Sequence, residues 1–512
     1  MNPGRPTLRY ALLGFALALA AWLGLPRWAS PRLGPEATKA LPTEGFLDRG
    51  ELKTRRSQWI EQMHGGGPGL DWRALDALAR AERLRQKSTF ATPLPGAEGE
   101  WPKALRQTAF GPWRELGSSN QSGRVVGAAV DPMTQQVYVH SHGGVVWSAS
   151  RAQLDWQPLN DASSFQPRFT NATFARLPGP NARLLVGSWS PEGIYYSDDD
   201  GVHWQAATGL RAGMLDDQVL AARSNSDQIY ALRVEWGDAP GAEPRSVLYA
   251  SIDRGTRFNK VATLAYEFQT SMFTQDAPGS AVYVLAEDRL LRVDPNSQAL
   301  QLAGQVPIGF ALESILRVGV CGGVASGQDF VYAFYRVRVP GGAATRVYRT
   351  LDGGASWSER AGPEHGMFTA QSTLCSATNP DVAFVGSVNA SRTIDGAASW
   401  QRISNWGDYH VVSAESHLHA DIIAIDSWID PAGVERILFS TDGGLFESSD
   451  YGGTVRNLSL DGLANGQYYT TLSLRRPPFS AYTGSQDQGY QHLAAPDQSR
   501  LGIQKFNGDY GS

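Results

Sequence analysis

From about residue 113 onward the chain is a succession of short runs in which apolar and β-branched residues alternate with polar ones, each closed by Gly, Asp or Ser. Ile194-Tyr195-Tyr196, Val247-Leu248-Tyr249-Ala250 and Arg346-Val347-Tyr348-Arg349 have the length and composition of strands. The same signal follows each of them, and it occurs five times in all. The copies are Ser197, Asp199, Gly201 and Trp204; Ser251, Asp253, Gly255 and Phe258; Thr350, Asp352, Gly354 and Trp357; Thr393, Asp395, Ala397 and Trp400; and Ser448, Asp450, Gly452 and Val455. The hydroxyl and the carboxylate can accept hydrogen bonds from the N–H groups of a tight turn, and Gly supplies the backbone angles that such a turn needs. The aromatic residue opens the next strand and packs on a neighbour. Each copy is therefore expected in a hairpin between two strands.

Repetition at this interval predicts stacked copies of one small unit. The five Ser/Thr-x-Asp-x-Gly-x-x-Trp segments resemble the Asp-box, or bacterial neuraminidase repeat, of sialidase-like and sortilin-like β-propellers, and the resemblance implies an all-β, seven-bladed-type propeller. Two further units lack the signal. One carries Gly143-Gly144-Val145-Val146-Trp147-Ser148 and Trp156; the other fits the long interval between Ser251 and Thr350, around Leu290-Leu291-Arg292-Val293-Asp294. Counting both gives seven units before Leu463. The strand pattern then restarts at Gln467-Tyr468-Tyr469-Thr470-Thr471, as expected for the first part of a tandem propeller whose second ring is cut short. Cys321 and Cys375 open consecutive units; a disulfide and two buried thiols are both open readings.

Ahead of the repeats, residues 1–30 read as a signal peptide or amino-terminal membrane anchor: Arg5 and Arg9 precede an uncharged apolar run that Pro26 and Arg27 end. Residues 31–110 read as a Pro-rich spacer and helical prefix, with helices over 49–64 and 71–86 separated by Gly65-Gly66-Gly67-Pro68-Gly69. The propeller is assigned to 111–463 and the further blade or second propeller to 464–512. This organisation predicts an exported protein, periplasmic, secreted or anchored at the outer face of the cytoplasmic membrane, whose membrane contact is limited to that anchor.

Composition narrows the function. The 512 residues include 55 Gly and 29 Pro with only 19% charged residues, which suits many short strands joined by turns. A formal net charge of −5 offers no general attraction to nucleic acid. Catalytic Gly-x-Ser-x-Gly, His-Glu-x-x-His, phosphate-cradle and Cys-x-x-Cys patterns do not occur. No cofactor or metal is expected, and the chain is read as a monomer.

The last hundred residues resemble a more specific group of exported Asp-box proteins, labelled glycosyl hydrolase-like or sortilin-like. The matching segments are His419-Ala420-Asp421-Ile422-Ile423-Ala424-Ile425-Asp426, Thr441-Asp442-Gly443-Gly444-Leu445-Phe446, Gln486-Asp487-Gln488-Gly489 and Asn507-Gly508-Asp509-Tyr510-Gly511. Ile423 stands where the group has a second His, and Gln488 where it has Asn. The resemblance implies tandem propellers similar to those of xyloglucan-degrading enzymes, in which an Asp of the first blade is catalytic; the similar place here reads Ser141-His142-Gly143-Gly144 and lacks the carboxylate. The Phe/Tyr-Arg-Ile-Pro segment of sialidases is missing too, and Gly123-Arg124-Val125-Val126 is not that motif.

Candidate ligand-binding residues are His417, His419, Asp421, Asp442, Gln486 and Asp487. On an extended strand His417, His419 and Asp421 would share one face, which suits a ligand, a metal or an acid–base group; the alternative is a polar cluster that fixes the strand entrance. Asp442 and Asp487, flanked by glycines, are the weak catalytic candidates, because a glycosidase needs two carboxylates at a defined separation. The repeat aspartates are assigned to turn structure. The leading expectation is a recognition protein that binds a protein, peptide or glycan at one propeller face, without an intact catalytic constellation. The alternatives are a glycoside hydrolase, xyloglucanase-like or sialidase-like, and, by resemblance to photosystem assembly propellers, an assembly factor.

Overall fold

A computed structural model describes residues 117–160 and 174–509, with breaks at 178–182, 188–192, 212–216, 222–226, 236–242, 267–268, 275–280, 295, 461, 475–479, 495–500 and 507–508. The expected signal segment and helical prefix lie outside the described residues.

The described chain folds into eight four-stranded antiparallel sheets, each built from consecutive strands in meander order. They span residues 125–158, 174–206, 217–266, 270–305, 315–360, 373–402, 422–457 and 468–506, and are numbered here sheets 1 to 8. Burial falls from the second and third strands to the fourth. Arg183–Gly187, Ile229–Glu235, Val282–Ala286 and Ile194–Ser197 are buried along their whole length. Gln205–Ala206 and Gln401–Arg402 are exposed. A strand covered on both faces has no solvent side to make polar, which is why these middle strands read as near-continuous apolar runs.

The core lies between sheets. Tyr138 and Val146 of sheet 1 pack on Leu184, Val186 and Tyr195 of sheet 2, and Leu185 and Tyr196 of sheet 2 pack on Ile229, Val247 and Phe258 of sheet 3. The pattern continues through Tyr230 and Val284, Tyr283 and Val331, Phe334 and Val385, and Phe384 and Phe439. It returns to its start where Val139, Trp147 and Trp156 of sheet 1 meet Trp428, Leu438 and Leu445 of sheet 7. The inter-sheet clusters thus form a closed circuit, the arrangement of a β-propeller, and each buried Leu, Val or Phe adds roughly 1.5–3 kcal/mol to it.

Closure relies on side chains, since every sheet is drawn from one continuous stretch of chain. Arg151 pairs with Glu447 at 2.5 Å, and the Trp156 indole donates to the Leu458 carbonyl at 2.9 Å. Cys321 and Cys375 are joined in a disulfide with Cα atoms 5.3 Å apart. Both sit on first strands, Ile315–Ala325 and Thr373–Cys375, which converge and bring the equivalent positions of sheets 5 and 6 within bridging distance.

The five repeat turns share one geometry. In each, the Ser/Thr hydroxyl donates to the Asp two residues on and accepts the N–H four residues on, while the Asp accepts the N–H of the residue four beyond itself; for Thr350 and Asp352 the three distances are 2.6, 3.0 and 2.9 Å. The copies at Ser197, Ser251, Thr393 and Ser448 repeat it. Glycine is required at Gly201: its φ is +88°, and a Cβ there would lie 2.6 Å from Leu159 of the preceding sheet.

Sheet 8 stands outside the circuit. It is joined to it by the segment 117–124, through Ser118 N–H to the Tyr468 hydroxyl at 3.0 Å, Gly502 N–H to the Asn120 carbonyl oxygen of its side chain at 2.8 Å, and the Gln488 amide to the Ser122 carbonyl at 2.8 Å. Tyr469, Leu472 and Ile503 of this sheet are exposed.

Candidate functional site

The turns between the second and third strands of sheets 1, 7 and 8 are variations on one device. The last residue of the second strand, Ser141, Thr441 or Ser485, donates its hydroxyl to the carbonyl at the start of the third: Val145 at 2.9 Å, Gly444 at 3.0 Å and Gly489 at 2.9 Å. The hydroxyl braces the hairpin and leaves its tip free to vary. The tips carry His142, Asp442 and Asp487 respectively. Beside them run the residues that enter the first strands of sheets 1 and 7, Arg124 before Val125 and Asp421 before Ile422.

These residues converge where sheet 7 meets sheet 1. Nε and Nη2 of Arg124 bond the two carboxylate oxygens of Asp442 in a bidentate pair, and both side chains are almost fully buried, 3% and 1% exposed. Asp487, whose side chain is 21% exposed, sets its buried Oδ2 3.8 Å from Arg124 Nη2. Burial works to raise the Asp442 carboxyl, and the bonds from Arg124 oppose it. On the arginine, burial disfavours the charge, but the hydrogen bonds to Asp442 and the charges of Asp442, Asp487 and Asp421 outweigh it and hold the guanidinium above its ordinary value. Asp421 is raised by burial first and by the neighbouring Asp487 second. Asp487 in turn takes a backbone bond, its N–H to Asp509 at 3.1 Å.

A layer of imidazole and phenol lies alongside. His419 is buried, its Nδ1 is 3.1 Å from the Ala420 carbonyl, and its ring stands edge-on to Tyr409 at 4.6 Å and His410 at 5.3 Å. Burial lowers it to about 4. Burial followed by the Arg124 charge lowers His142 to about 4 as well, so both rings are neutral at pH 7. Gly443 permits this packing, because a Cβ on it would come within 2.4 Å of the His419 ring. Tyr409 and His410 belong to helix α1 (Trp406–Val411), a short turn of helix in the crossing from sheet 6 to sheet 7. Gln504 ties sheet 8 to α1 through its Oε1, 3.4 Å from His410 Nδ1, while its amide nitrogen donates to the Gln488 carbonyl of its own sheet at 2.8 Å.

Of the residues expected from sequence, the structure brings together His419, Asp421, Asp442 and Asp487. His417 falls outside: it is half-buried and its ring contacts Ser416 Oγ at 3.2 Å. Gln486 contributes its backbone N–H to the Gln467 carbonyl at 2.8 Å, and it is Gln488 whose amide reaches inward, to Ser122 and Tyr409. The shared face expected of His417, His419 and Asp421 fails because the segment is not extended. The strand begins only at Ile422, Asp421 has a φ of +62°, and the consecutive Leu418 and His419 are both buried. Sequence reading missed Arg124, His142, Tyr409 and Gln504. For Arg124 the available signal was a cation set between Ser122-Gly123 and the apolar run that follows, in a chain whose matching turns are acidic. Among the described residues no group of three or more His, Cys, Asp or Glu is arranged to hold a metal ion.

No protein-family model matches the chain, and no curated protein matches it. Several solved structures are similar. YCF48 from Cyanidioschyzon merolae aligns over 66% of this chain and 96% of its own at 14% identity and a TM-score of 0.40, and a structure of YCF48 bound to D1 peptide gives 12% and 0.40 over 66% and 95%. The GH74 enzyme of Niastella koreensis aligns over 76% of this chain and 79% of its own at 11% identity and 0.35. A polysaccharide lyase, the PL25 ulvan lyase bound to -[GlcA(1-4)Rha3S]-, aligns over 65% and 95% at 12% identity and 0.38.

Proposed function

We propose that this chain is an exported recognition protein built on a seven-bladed Asp-box propeller of the sortilin-like, glycosyl hydrolase-like kind, with sheet 8 opening a second ring. It binds a protein, peptide or glycan at the face that carries the turns of His142, Asp442 and Asp487. The observation that carries this reading is the state of Asp442. Of the two carboxylates best placed by sequence for hydrolysis, it is the one engaged through both oxygens by Arg124 and closed off from solvent. A carboxylate so committed holds the site together and is poorly placed to attack or protonate a glycosidic bond.

A second reading, glycoside hydrolysis, draws on Asp421, whose carboxyl is raised by burial and by the adjacent Asp487; two neighbouring carboxyl groups are what that reaction uses. The two readings separate when the purified full-length protein is incubated with a panel of neutral and acidic polysaccharides and sialosides while its binding is measured on glycan arrays and by pull-down. Binding without turnover is the expected result. Turnover that disappears in Asp421→Asn or Asp487→Asn would overturn the recognition reading.

A further inference from the structure

We propose that the outer side of this site docks a peptide segment in which a lysine or arginine stands next to an apolar residue, a proposal that rests on the recognition reading and names its ligand class. Two exposed apolar side chains adjoin Asp421, and a third stands at the far end of the same short helix. Val388, Trp406 and Val412 are 41%, 49% and 63% exposed. The turn at Val388 touches the site directly, its carbonyl accepting the Asp421 N–H at 3.2 Å. The next residue, Asn389, accepts the Trp406 N–H at 2.8 Å, which brings the start of α1 to the same place. Val412 follows the end of the helix, about 9 Å along its axis from Trp406 at 1.5 Å per residue. Val388 and Trp406 therefore adjoin Asp421.

The charge on this side is one-sided. From Ile403 to Asp421, the stretch that holds the helix and the strand entrance, the chain carries Asp408, Glu415 and Asp421 and no Lys or Arg. At the site itself Asp421, Asp442 and Asp487 interact with a single guanidinium, that of Arg124, whose two bonded nitrogens are spent on Asp442, and Asp509 adds its charge beside Asp421. The histidines His142 and His419 add no positive charge at pH 7, each lying near 4. His419, 2% exposed, lies against Asp487, whose backbone and charge both act on its ring, and Asp487 Oδ2 faces Arg124 Nη2 at 3.8 Å. Surplus negative charge at Asp421, Asp487 and Asp509 favours a cationic donor, and the exposed indole and valine beside Asp421 favour an apolar neighbour on the same ligand. Sulfated or uronic polysaccharides would meet the same charge as repulsion.

The test uses the full-length protein and three labelled hexapeptides, Leu-Arg-Leu-Arg-Leu-Arg, Leu-Glu-Leu-Glu-Leu-Glu and Ser-Arg-Ser-Arg-Ser-Arg, titrated by fluorescence anisotropy. The Leu-Arg peptide is expected to bind at least tenfold more tightly than either other peptide. Asp421→Asn and Trp406→Ala should each weaken it at least fivefold, whereas Glu359→Gln, on an exposed strand of sheet 5, should leave it unchanged. Circular dichroism melts show whether each variant keeps its fold. Equal binding of the three peptides, or an Asp421→Asn/Trp406→Ala double variant that folds and binds as the parent does, overturns the proposal. Binding of a neutral glycan with no peptide binding overturns this ligand class and leaves the recognition reading standing; turnover of a polysaccharide lost in Asp421→Asn overturns both.

Discussion

Two sets of Asp-bearing turns can be compared within this one chain. The five repeat turns share one set of bonds from the Ser or Thr hydroxyl and the Asp carboxylate, all within eight residues. The turns of Asp442 and Asp487 spend theirs across the fold: Asp442 on Arg124, 318 residues away, and Asp487 on Arg124 and Asp509. The first set is partly exposed, and its hydroxyl and carboxylate need no partner from elsewhere in the chain. The second is buried and depends on a partner that a distant part of the chain must deliver. Repetition marks the turns that build the propeller, and departure from repetition marks the place where residues are kept for something else.

Breaking the long-range set should cost most. Arg124→Ala leaves the Asp442 carboxylate buried without its counter-ion, and a loss of about 3–5 kcal/mol of stability is expected in chemical denaturation, with Asp442→Ala close behind. Removing the disulfide with a Cys321→Ser/Cys375→Ser double variant frees a loop of 54 residues in the unfolded chain and should cost about 2–4 kcal/mol. Within the local set, Thr350→Val leaves the Gly354 N–H buried and unbonded; about 1–3 kcal/mol is expected, with similar values for equivalent changes in other copies. A Thr350→Val effect as large as that of Arg124→Ala would remove the distinction between the two sets.

Acid titration should separate the sets by pH, with a smaller effect. His419 and His142 are held near 4 in the fold against an ordinary 6.5, so the unfolded chain binds more protons between these values and stability falls as pH drops from about 6.5 to about 4. Asp352 and Asp395 are lowered to about 2, chiefly by the hydroxyls of Ser356 and Ser399, so their contribution is present above about 4 and is lost as pH falls towards 2. Stability measured by denaturant midpoint against pH should therefore decline in two steps. His419→Gln should flatten the upper step and Asp352→Asn the lower one.

The propeller was largely legible in the sequence because its signals are local. Hydroxyl, carboxylate, glycine and aromatic recur at fixed spacing, and even the units without them, at Val146–Ser150 and at Arg289–Val293, keep the alternation that a strand imposes. The site was legible in part. Asp442 and Asp487 stood out through their glycines, and His419 and Asp421 through their proximity in the chain. The pairing of Arg124 with Asp442 leaves no local trace, since it arises from the contact of sheet 1 with sheet 7. The misjudged geometry at His417 has a local cause: periodicity assumes an extended backbone, and the left-handed turn at Asp421 interrupts it just before the strand starts.

The way the circuit closes has a consequence for how the molecule comes into being. Arg124 is made early and its carboxylate late, and no strand is exchanged to hold sheet 1 in waiting for sheet 7. Pairings so remote in sequence are slow to form, so the site is assembled among the last events of folding. A chain that has not yet produced Asp442 has the arginine and no site. Ligand competence thus reports a finished ring, and an incomplete molecule is silent to its partner.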